Sequence, residues 1–339
     1  MRILVLGGTN FIGPAAVRLL AADGHEVAVF HRGKSNAPLP ENVRHIHGDR
    51  AQIADFRDTF KQFSPEVVLD MVPSTEKAGN MLIEQFSGLA RRLVAISSVD
   101  VYRAYDRFRK ADPGPPDPAP LTEDSPLRDK LFPYRSTAKS PDEFMYHYDK
   151  ILMERAVMSV PETLPGTILR LPMVYGPGDY QHRVFSYLKR MDDGRPAILV
   201  SSEMAAWRAE RGYVEDMGHA IALCVTCEQA AGRTYHVAEQ RDLSEREWLQ
   251  RIAAAAGWKG SFVFLPEESM PQHLREDYDT TQDLALDSTR IRHELGYGEQ
   301  KSPEEAMRRT VEWERANPQA KFDPAEYDYA AEDAALAVA

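Results

Sequence analysis

Cysteine is scarce in this chain, which contains only Cys224 and Cys227 among its 339 residues. The two form a C-x-x-C pair, but a zinc site of the usual four-ligand kind needs two further ligands at similar spacing. Their apolar, helix-like surroundings indicate small core residues and not a redox pair. His45 and His47 would share one face of a strand with no third ligand nearby, so we interpret them as structural. The sequence therefore predicts no metal site.

Long apolar runs and an excess of positive charge are also missing. No stretch approaches the roughly 18 apolar residues of a membrane-spanning helix, and 41 basic against 52 acidic residues give a formal charge of −11. A general binder of nucleic acid or anionic membranes needs a basic face. The first strand meets Gly7 at once, without the apolar stretch and cleavage site of a signal peptide. We therefore expect a mature cytoplasmic protein that binds neither nucleic acid nor membranes.

Apolar residues, at 43% of the chain, supply ample material for a packed core. Short, nearly continuous apolar runs alternate with segments of helical periodicity; the runs are residues 3–6, 27–30, 67–69, 93–96 and 167–169. Strands that are buried on both faces require such runs. The alternation predicts an α/β fold of the Rossmann type, with a doubly wound parallel sheet and a smaller C-terminal α/β region that binds substrate.

Three serines predict helix starts, because each is followed three residues later by a glutamate, as in a capping box. They are Ser140, Ser244 and Ser302. A proline at the first helical position, Pro141 or Pro303, supports two of these starts.

The chain divides into regions of different composition. We predict a dinucleotide-binding Rossmann domain at 1–175 with an insert at 103–139, a mainly substrate-binding region at 176–320 of which about 210–240 returns to the sheet, and an acidic tail at 321–339. The tail is expected to be solvated and partly helical. Within the insert, residues 111–120 hold five prolines and one glycine, which predicts a loop or a lid.

A glycine-rich turn follows the first predicted strand and leads into a helical pattern. The turn reads Gly7-Gly8-Thr9-Asn10-Phe11-Ile12-Gly13-Pro14. Glycines permit a tight turn and a close approach of the backbone to a pyrophosphate, while the helix N-terminus offers free N–H groups and a positive dipole end. We predict that the cofactor is bound by Gly7, Thr9, Asn10, Phe11, Ile12 and Gly13.

The end of the second predicted strand bears on the choice between NAD and NADP. An acidic side chain there would accept a hydrogen bond from the ribose 2′-hydroxyl and repel a 2′-phosphate, but the sequence reads His31-Arg32-Gly33-Lys34. Arg32 presents a planar guanidinium to a phosphate, and Lys34 adds charge. We therefore predict NADP as the cofactor, with His31 and Arg32 among its ligands. NAD stays the alternative, since an arginine also stacks on adenine.

Tyr146 and Lys150 lie four residues apart, and on a helix that spacing puts both side chains on one face. A phenol with a pKa near 10 is a poor base at neutral pH, and a neighbouring ammonium lowers that pKa. Tyr134 and Lys139 are five residues apart and miss this geometry. The sequence therefore predicts Tyr146 and Lys150 as an acid/base pair on one helix.

The apolar run at 93–96 ends in two hydroxyl residues, Ser97 and Ser98. The carboxyl ends of parallel strands form the edge at which ligands bind in such sheets. We predict that Ser98 holds the substrate oxygen beside Tyr146.

Together these features resemble the extended short-chain dehydrogenases/reductases, also called the NAD-dependent epimerase/dehydratase family. The resemblance covers about residues 1–315. It rests on residues 7–13, on the Ser97-Ser98 pair before Val101-Tyr102, on Tyr146 with Lys150 and Glu154, and on residues 170–178 and 211–216.

The resemblance implies hydride transfer between a substrate carbon and C4 of a nicotinamide. It implies that Tyr146 is the acid/base, that Ser98 holds the reacting oxygen, and that Lys150 tunes Tyr146 and holds the ribose. It also implies cofactor contacts from Asp49, Pro172 and Val174. A homodimer paired through the helix that carries Tyr146 is the assembly that it implies.

The substrate pocket is expected between Tyr175 and about Asp287, with the insert closing over it. The candidate substrate ligands are Ser97, Asp100, Tyr175, Arg183, Arg208 and Arg211. The three arginines are candidates to hold an anionic or polyhydroxylated group.

Three departures from the family pattern carry information. Asn10 replaces the middle glycine of G-x-x-G-x-x-G, as in an atypical branch of the family. Val99 stands where 4,6-dehydratases carry the first of two acids, which disfavours elimination chemistry. Met173 stands where nucleotide-sugar enzymes often have an asparagine, which disfavours a nucleotide-sugar substrate.

We therefore predict an NAD(P)-dependent enzyme that acts at a secondary alcohol or ketone carbon of a sugar-like substrate. An epimerase removes a hydride and returns it to the other face, whereas a reductase delivers it once and must exchange its cofactor. Arg32 favours reduction and family frequency favours epimerisation. Two alternatives stay open: an NADPH-dependent ketone reductase that acts on a non-sugar metabolite, and a non-catalytic dinucleotide-binding scaffold.

Overall fold

The structure, a computed structural model, describes residues 1–35 and 37–338. Its central sheet has seven strands: β1 (Arg2–Leu6), β2 (Glu26–His31), β3 (Arg44–His47), β4 (Val67–Asp70), β5 (Arg92–Ser98), β6 (Gly166–Leu171) and β11 (Thr234–His236). All neighbouring strands run parallel, in the spatial order β11-β6-β5-β4-β1-β2-β3. The five predicted strands are confirmed; β3 and β11, at the two edges, are additional.

Helices cover both faces of this sheet. One face carries α1 (Ile12–Ala22) and α9 (Val214–Thr226), and the other carries α2 (Arg57–Phe63), α3 (Glu76–Phe86) and α6 (Lys150–Val157). The helices α1 and α9 touch at Gly218, where an added Cβ would lie 2.6 Å from the Ala15 Cβ. The doubly wound Rossmann-type fold is therefore confirmed.

The rest of the chain forms short strand pairs and further helices. The pairs are β7 (Met173–Tyr175) with β10 (Arg211–Tyr213), β8 (Ala197–Ser201) with β13 (Ser261–Leu265), and β9 (Arg208–Ala209) with β12 (Leu243–Ser244). The helices are α4 (Arg103–Phe108), α5 (Phe144–His147), α7 (Phe185–Asp192), α8 (Ser202–Ala206), α10 (Glu245–Ala256), α11 (Thr289–Leu295), α12 (Pro303–Ala316) and α13 (Tyr329–Leu336). Within this part, α10 packs against α7, α8 and α12.

The capping signals gave two correct helix starts and one wrong start. Ser244 forms a capping box at α10, and Ser302 caps α12 with a proline at its start. At Ser140, however, no long helix begins: α5 covers four residues, and α6 starts separately at Lys150 with Asp149 as its N-cap. The buried Asp149 carboxylate accepts hydrogen bonds from the N–H groups of Ile151 and Leu152. Because an N-cap residue adopts extended backbone, the helix is interrupted between Tyr146 and Lys150.

Most residues of the acidic tail are exposed and part of the tail is helical, as predicted, but α13 is also docked against the body of the protein through one buried residue. Glu332 on α13 is 1% exposed and accepts hydrogen bonds from the Arg190 guanidinium of α7. The Arg190 guanidinium also lies 4.8 Å from the centre of the Tyr327 ring. Acidic and aromatic tail residues thus pack on the basic last turn of α7, a pairing that composition alone does not reveal.

Within the described ranges, no helix has the length and apolarity that a bilayer crossing requires. Nor do three or more histidine, cysteine or acidic side chains converge there as metal ligands. Cys224 is fully buried in α9, as its interpretation as a core residue requires.

Candidate functional site

The turn between β1 and α1 is shaped to receive a phosphate group. Gly7 and Gly8 have φ angles of 89° and 80°, in the region that favours glycine. An added Cβ on Gly13 would lie 2.4 Å from the Gly8 Cα, so the turn closes directly on the helix. The N-cap residue Phe11 forms no side-chain capping bond in the described structure. The first amides of α1 are therefore available to a pyrophosphate.

The end of β2 lies beside this turn. It carries His31, with Arg32 following, and the neighbouring strand β3 adds the imidazoles of His45 and His47. The Nε2 atom of His31 lies 2.8 Å from the Nδ1 atom of His45, and the His31 and His47 ring centres are 4.7 Å apart. Partial burial and the two neighbouring imidazoles lower the pKa of His31. Arg32 is exposed at this point. The predicted Asp49 follows β3, is exposed, and accepts a hydrogen bond from the N–H of Ala51.

Lys150 lies at the carboxyl ends of β4 and β5. Its Nζ atom donates hydrogen bonds to the carbonyl oxygens of Pro73 (2.7 Å) and Ile96 (2.8 Å). Burial lowers the pKa of this ammonium to about 8, and the carboxylates of Asp100 and Asp70 oppose the shift. A buried cation is therefore fixed at the edge where ligands bind in such sheets.

The two predicted serines differ in their surroundings. Ser97 is buried and donates a hydrogen bond to Glu154, which also pairs with Arg170. Ser98 lies at the end of β5, where its hydroxyl oxygen accepts from the N–H of Asp100 at 3.2 Å. That bond leaves the Ser98 proton for an acceptor such as a substrate oxygen. The structure thus puts Ser97 in a structural network and leaves Ser98 half-buried at the carboxyl end of β5.

Asp100 joins the site through two phenols that the sequence did not indicate as partners. Its Oδ2 atom accepts hydrogen bonds from the hydroxyls of Tyr134 (3.1 Å) and Tyr148 (2.8 Å). Burial and this carboxylate raise the pKa of Tyr134 to about 12 and that of Tyr148 well above its ordinary value. Both hydroxyls are therefore protonated donors at neutral pH.

Tyr146 lies apart from this cluster because the chain is extended at Tyr148 and Asp149. The Arg135 guanidinium lies 4.7 Å from the centre of the Tyr146 ring, and Arg135 Nε donates to the Tyr146 carbonyl oxygen at 3.3 Å. Among the described residues, the Tyr146 hydroxyl has no hydrogen bond with Ser98 or Lys150. The prediction that Tyr146 and Lys150 share one helix face is therefore wrong for this structure.

The segment after β6 places Pro172 and Val174 at the same edge as Ser98. Val174 lies in β7, and its carbonyl oxygen accepts a hydrogen bond from Arg183 at 2.8 Å. The hydroxyl of Tyr175 is bound to Glu239 at 2.7 Å, so this phenol is engaged within the protein.

The three arginines predicted for the substrate all have partners inside the protein. Arg183 pairs with Asp179 at 2.6 Å. Arg208 is exposed and donates to the Asp242 carbonyl oxygen at 2.9 Å. Arg211 is 5% exposed and pairs with Glu245. A guanidinium matched in this way binds an added anion less readily than a free one.

Sequence reasoning missed four side chains that are hydrogen-bond partners of Asp100 or of one another. They are Tyr105, Tyr134, Tyr148 and Glu210. Tyr148 was overlooked because it is not four residues from Lys150, and Tyr134 because it was tested only against Lys139. Such contacts depend on how the insert folds back, which no local spacing encodes.

The fold and the glycine turn define a dinucleotide-binding α/β protein. The model of the NAD dependent epimerase/dehydratase family matches residues 3–238, and the chain belongs to this family of enzymes. The expected enzyme class is therefore confirmed.

Known relatives include a reductase and a stem-loop binding protein. The chain is 27% identical to the 2′-dehydrokanamycin reductase of Streptomyces kanamyceticus over 282 residues, covering 81% of this chain and 72% of that protein. It is 22% identical to the chloroplast stem-loop binding protein of 41 kDa b of Arabidopsis thaliana, covering 82% of this chain and 67% of that protein.

Among solved structures, the fold is similar to the UDP-glucose 4-epimerase of Thermotoga maritima with UDP-glucose. The TM-score is 0.68 with 19% identity, covering 94% of this chain and 100% of that one. At this identity the likeness establishes the fold alone.

Proposed function

We propose that the chain is an NADP-dependent reductase that acts at a ketone carbon of a sugar-like substrate. The observation that carries the proposal is the buried Lys150 ammonium, which is held by two carbonyl oxygens at the edge where β5 presents Ser98. A desolvated ammonium at this edge favours ionisation of a nearby phenol and positions ribose hydroxyls. In this proposal residues 1–175 hold the dinucleotide and residues 176–320 mainly hold the substrate.

The dinucleotide, when bound, supplies the hydride. The residues present fit it, because the Gly7–Gly8 turn and the close approach of Gly13 leave room only for backbone beside the phosphates. Arg32 and His31 would bind the 2′-phosphate of NADP, and Asp49 would lie near the adenine. Pro172 and Val174 would contact the nicotinamide.

Ser98 would hold the reacting oxygen, and Tyr146 would pass a proton to it. Tyr146 is assigned because its spacing from Lys150 matches the motif of the family. The assignment requires residues 146–149 to become helical when cofactor and substrate bind, so that Tyr146 turns toward Lys150. Tyr148 is the competing phenol, since its hydroxyl is already bound to Asp100 at the site.

Substitution of the two phenols tests this assignment. Tyr146→Phe should lower kcat by roughly 10²- to 10⁴-fold, the usual contribution of a positioned acid/base. Tyr148→Phe removes an equivalent hydroxyl two residues away and should retain most of kcat. Both variants are compared for turnover with candidate ketones and for NADPH binding. Full turnover in Tyr146→Phe together with loss in Tyr148→Phe would transfer the role to Tyr148.

The second candidate is an epimerase that retains its NAD, a type of enzyme that is frequent in the family. Arg32 at the end of β2 supports reduction with NADP, and so does the likeness to a reductase at 27% identity.

A homodimer remains part of the proposal, as the resemblance implied it. Sedimentation analysis of the purified protein tests it.

A further inference from the structure

Three histidines lie side by side on the edge strands β2 and β3, where β2 leads into Arg32. His31 is half-buried and both His45 and His47 are exposed, so the cluster is open to solvent. The His31 ring centre lies 5.0 Å from that of His45 and 4.7 Å from that of His47. His45 and His47 were expected to have no third partner, and the parallel pairing of β2 with β3 supplies one in His31.

The hydrogen bonds of the cluster fix which ring nitrogens carry a hydrogen. The N–H of Gly33 can only donate, and its nitrogen lies 3.1 Å from the Nδ1 atom of His31. The neutral His31 ring therefore carries its hydrogen on Nε2, which donates to the Nδ1 atom of His45 at 2.8 Å. Because these nitrogens bind each other, they do not converge on a metal position among the described residues.

Gly33 closes the cluster at a point where only backbone fits. Its φ angle is 70°, and an added Cβ would lie 3.0 Å from the Nδ1 atom of His47. Two imidazole nitrogens and one backbone N–H thus lie together at this exposed turn. The Ser35 hydroxyl donates to the Thr9 hydroxyl at 2.6 Å, which ties the turn to the glycine turn that is proposed to bind the pyrophosphate.

The charges around His31 favour an anion. Burial and the imidazoles of His47 and His45 lower the pKa of His31, and no carboxylate of the described residues offsets them. On the other side of β2, β1 brings only apolar residues to this end. The other charged side chains of the surrounding elements are Arg18 of α1, Arg32 and Lys34 after β2, and Arg44 and Asp49 at the two ends of β3. All but one of these are basic, so an added anion would favour the protonated imidazole.

We infer that the cluster around Gly33 is a proton-coupled site for the 2′-phosphate of NADP, formed by His31 and His47. This inference rests on the proposed function and concerns how its cofactor is chosen. When the phosphate binds, one proton from the solvent goes to Nδ1 of His31. That N–H then donates to a phosphate oxygen, as does the N–H of Gly33 that it releases. The Nε2–H of His31 keeps its bond to His45.

Titration calorimetry in two buffers of different ionisation enthalpy counts the protons that are taken up when NADPH binds to the protein freed of dinucleotide. NADPH should take up protons between about pH 7.5 and pH 6.5, and its binding should tighten by up to roughly 10-fold over that range, the limit for one proton. NADH lacks the phosphate and should show neither effect. The phosphate itself contributes little, because the second pKa of a phosphate ester is near 6.

Substitution of the imidazoles tests which of them takes up the proton. His31→Asn offers an amide oxygen to the N–H of Gly33 but cannot be protonated. It should abolish the proton uptake and weaken NADPH binding at about pH 6.5 roughly 10-fold. His47→Asn should weaken NADPH binding roughly 5-fold at the same pH and retain the proton uptake. His293→Asn, at an exposed position of α11, is the matched control and should change neither quantity.

Preference for NADPH over NADH without proton uptake would overturn this inference and leave the proposed function standing. Proton uptake that persists in His31→Asn would do the same. Equal affinity for NADPH and NADH at every pH, or binding of neither, would overturn the proposed use of NADP together with this inference. The two kinds of failure are therefore distinguishable.

Discussion

The turn from Gly7 to Gly13 is built from backbone, whereas the cluster formed by Asp100, Glu210 and the phenols bonded to them is built from ionisable side chains. The turn offers amide groups and excludes side-chain atoms, since even a methyl group on Gly13 would meet Gly8. The cluster is a set of hydrogen-bonded phenols and carboxyls in which two buried oxygens have no partner among the described residues. The turn therefore offers backbone amides, whereas the side chains of the cluster are largely bonded to one another.

The difference shows where specificity resides in this protein. Backbone amides bind any phosphate that reaches them, so the turn selects a dinucleotide without choosing a substrate. Buried side chains discriminate strongly, because a ligand that fails to satisfy them leaves a polar group unpaired. The proposed function therefore assigns the dinucleotide to the turn and assigns discrimination among substrates to side chains.

The substitution Gly13→Ala should have the largest effect, because it disrupts the turn that is proposed to bind the cofactor. The added Cβ would lie 2.4 Å from backbone that cannot yield, so we expect the free energy of unfolding to fall by about 3 kcal/mol. NADP binding should weaken roughly 100-fold. Gly298→Ala is the matched control, since a Cβ there would have no atom of the described residues within 4 Å. Equal effects of the two substitutions in denaturant unfolding and NADP titration would contradict this description of the turn.

The burial of Lys150 predicts a pH-dependent stability. Its pKa is about 8 in the folded protein and near 10.5 when exposed, so between these values the unfolded chain holds more protons. The free energy of unfolding should therefore rise with pH across that window, by up to about 3 kcal/mol relative to Lys150→Met.

Urea unfolding at several pH values measures this difference. Lys77→Met removes an exposed lysine from α3 and should show no such pH-dependent difference from the wild type. A wild-type stability that runs parallel to that of Lys150→Met through the whole window would show that the ammonium is solvated.

Arg32→Ala should have the smallest effect, and it tests the proposed preference for NADP over NAD. Loss of a charge-assisted contact to the 2′-phosphate should weaken NADPH binding roughly 10-fold and leave NADH binding unchanged. Arg44→Ala serves as the control. It removes an equal charge from the exposed start of β3, at the amino ends of the strands and not at their carboxyl ends. Equal losses of affinity for NADPH and NADH would mean that Arg32 does not contact the 2′-phosphate.

The sheet and the glycine turn could be predicted because their causes are local. A buried parallel strand needs a continuous apolar run, and a turn with positive φ angles favours glycine. For the same reason the caps at Ser244 and Ser302 followed from four residues each. These features depend on no distant contact.

The break between Tyr146 and Lys150 and the docking of the tail could not be predicted because distant contacts decide them. The spacing of Tyr146 and Lys150 fits one helix, but Asp149 is held by Arg128 and by the N–H of Phe132, and it caps a new helix instead. Likewise, Glu332 is buried because Arg190 lies opposite, 142 residues away in sequence. Neither partner is visible in the local pattern.

Identification of the dinucleotide in freshly purified, denatured protein by mass spectrometry tests the proposed NADP-dependent reduction most directly. The proposal predicts released NADP, or an empty protein that binds NADPH more tightly than NADH. Stoichiometric NAD that stays bound through purification would contradict it, because a retained NAD is the mark of an epimerase cycle and leaves Arg32 without a phosphate to bind.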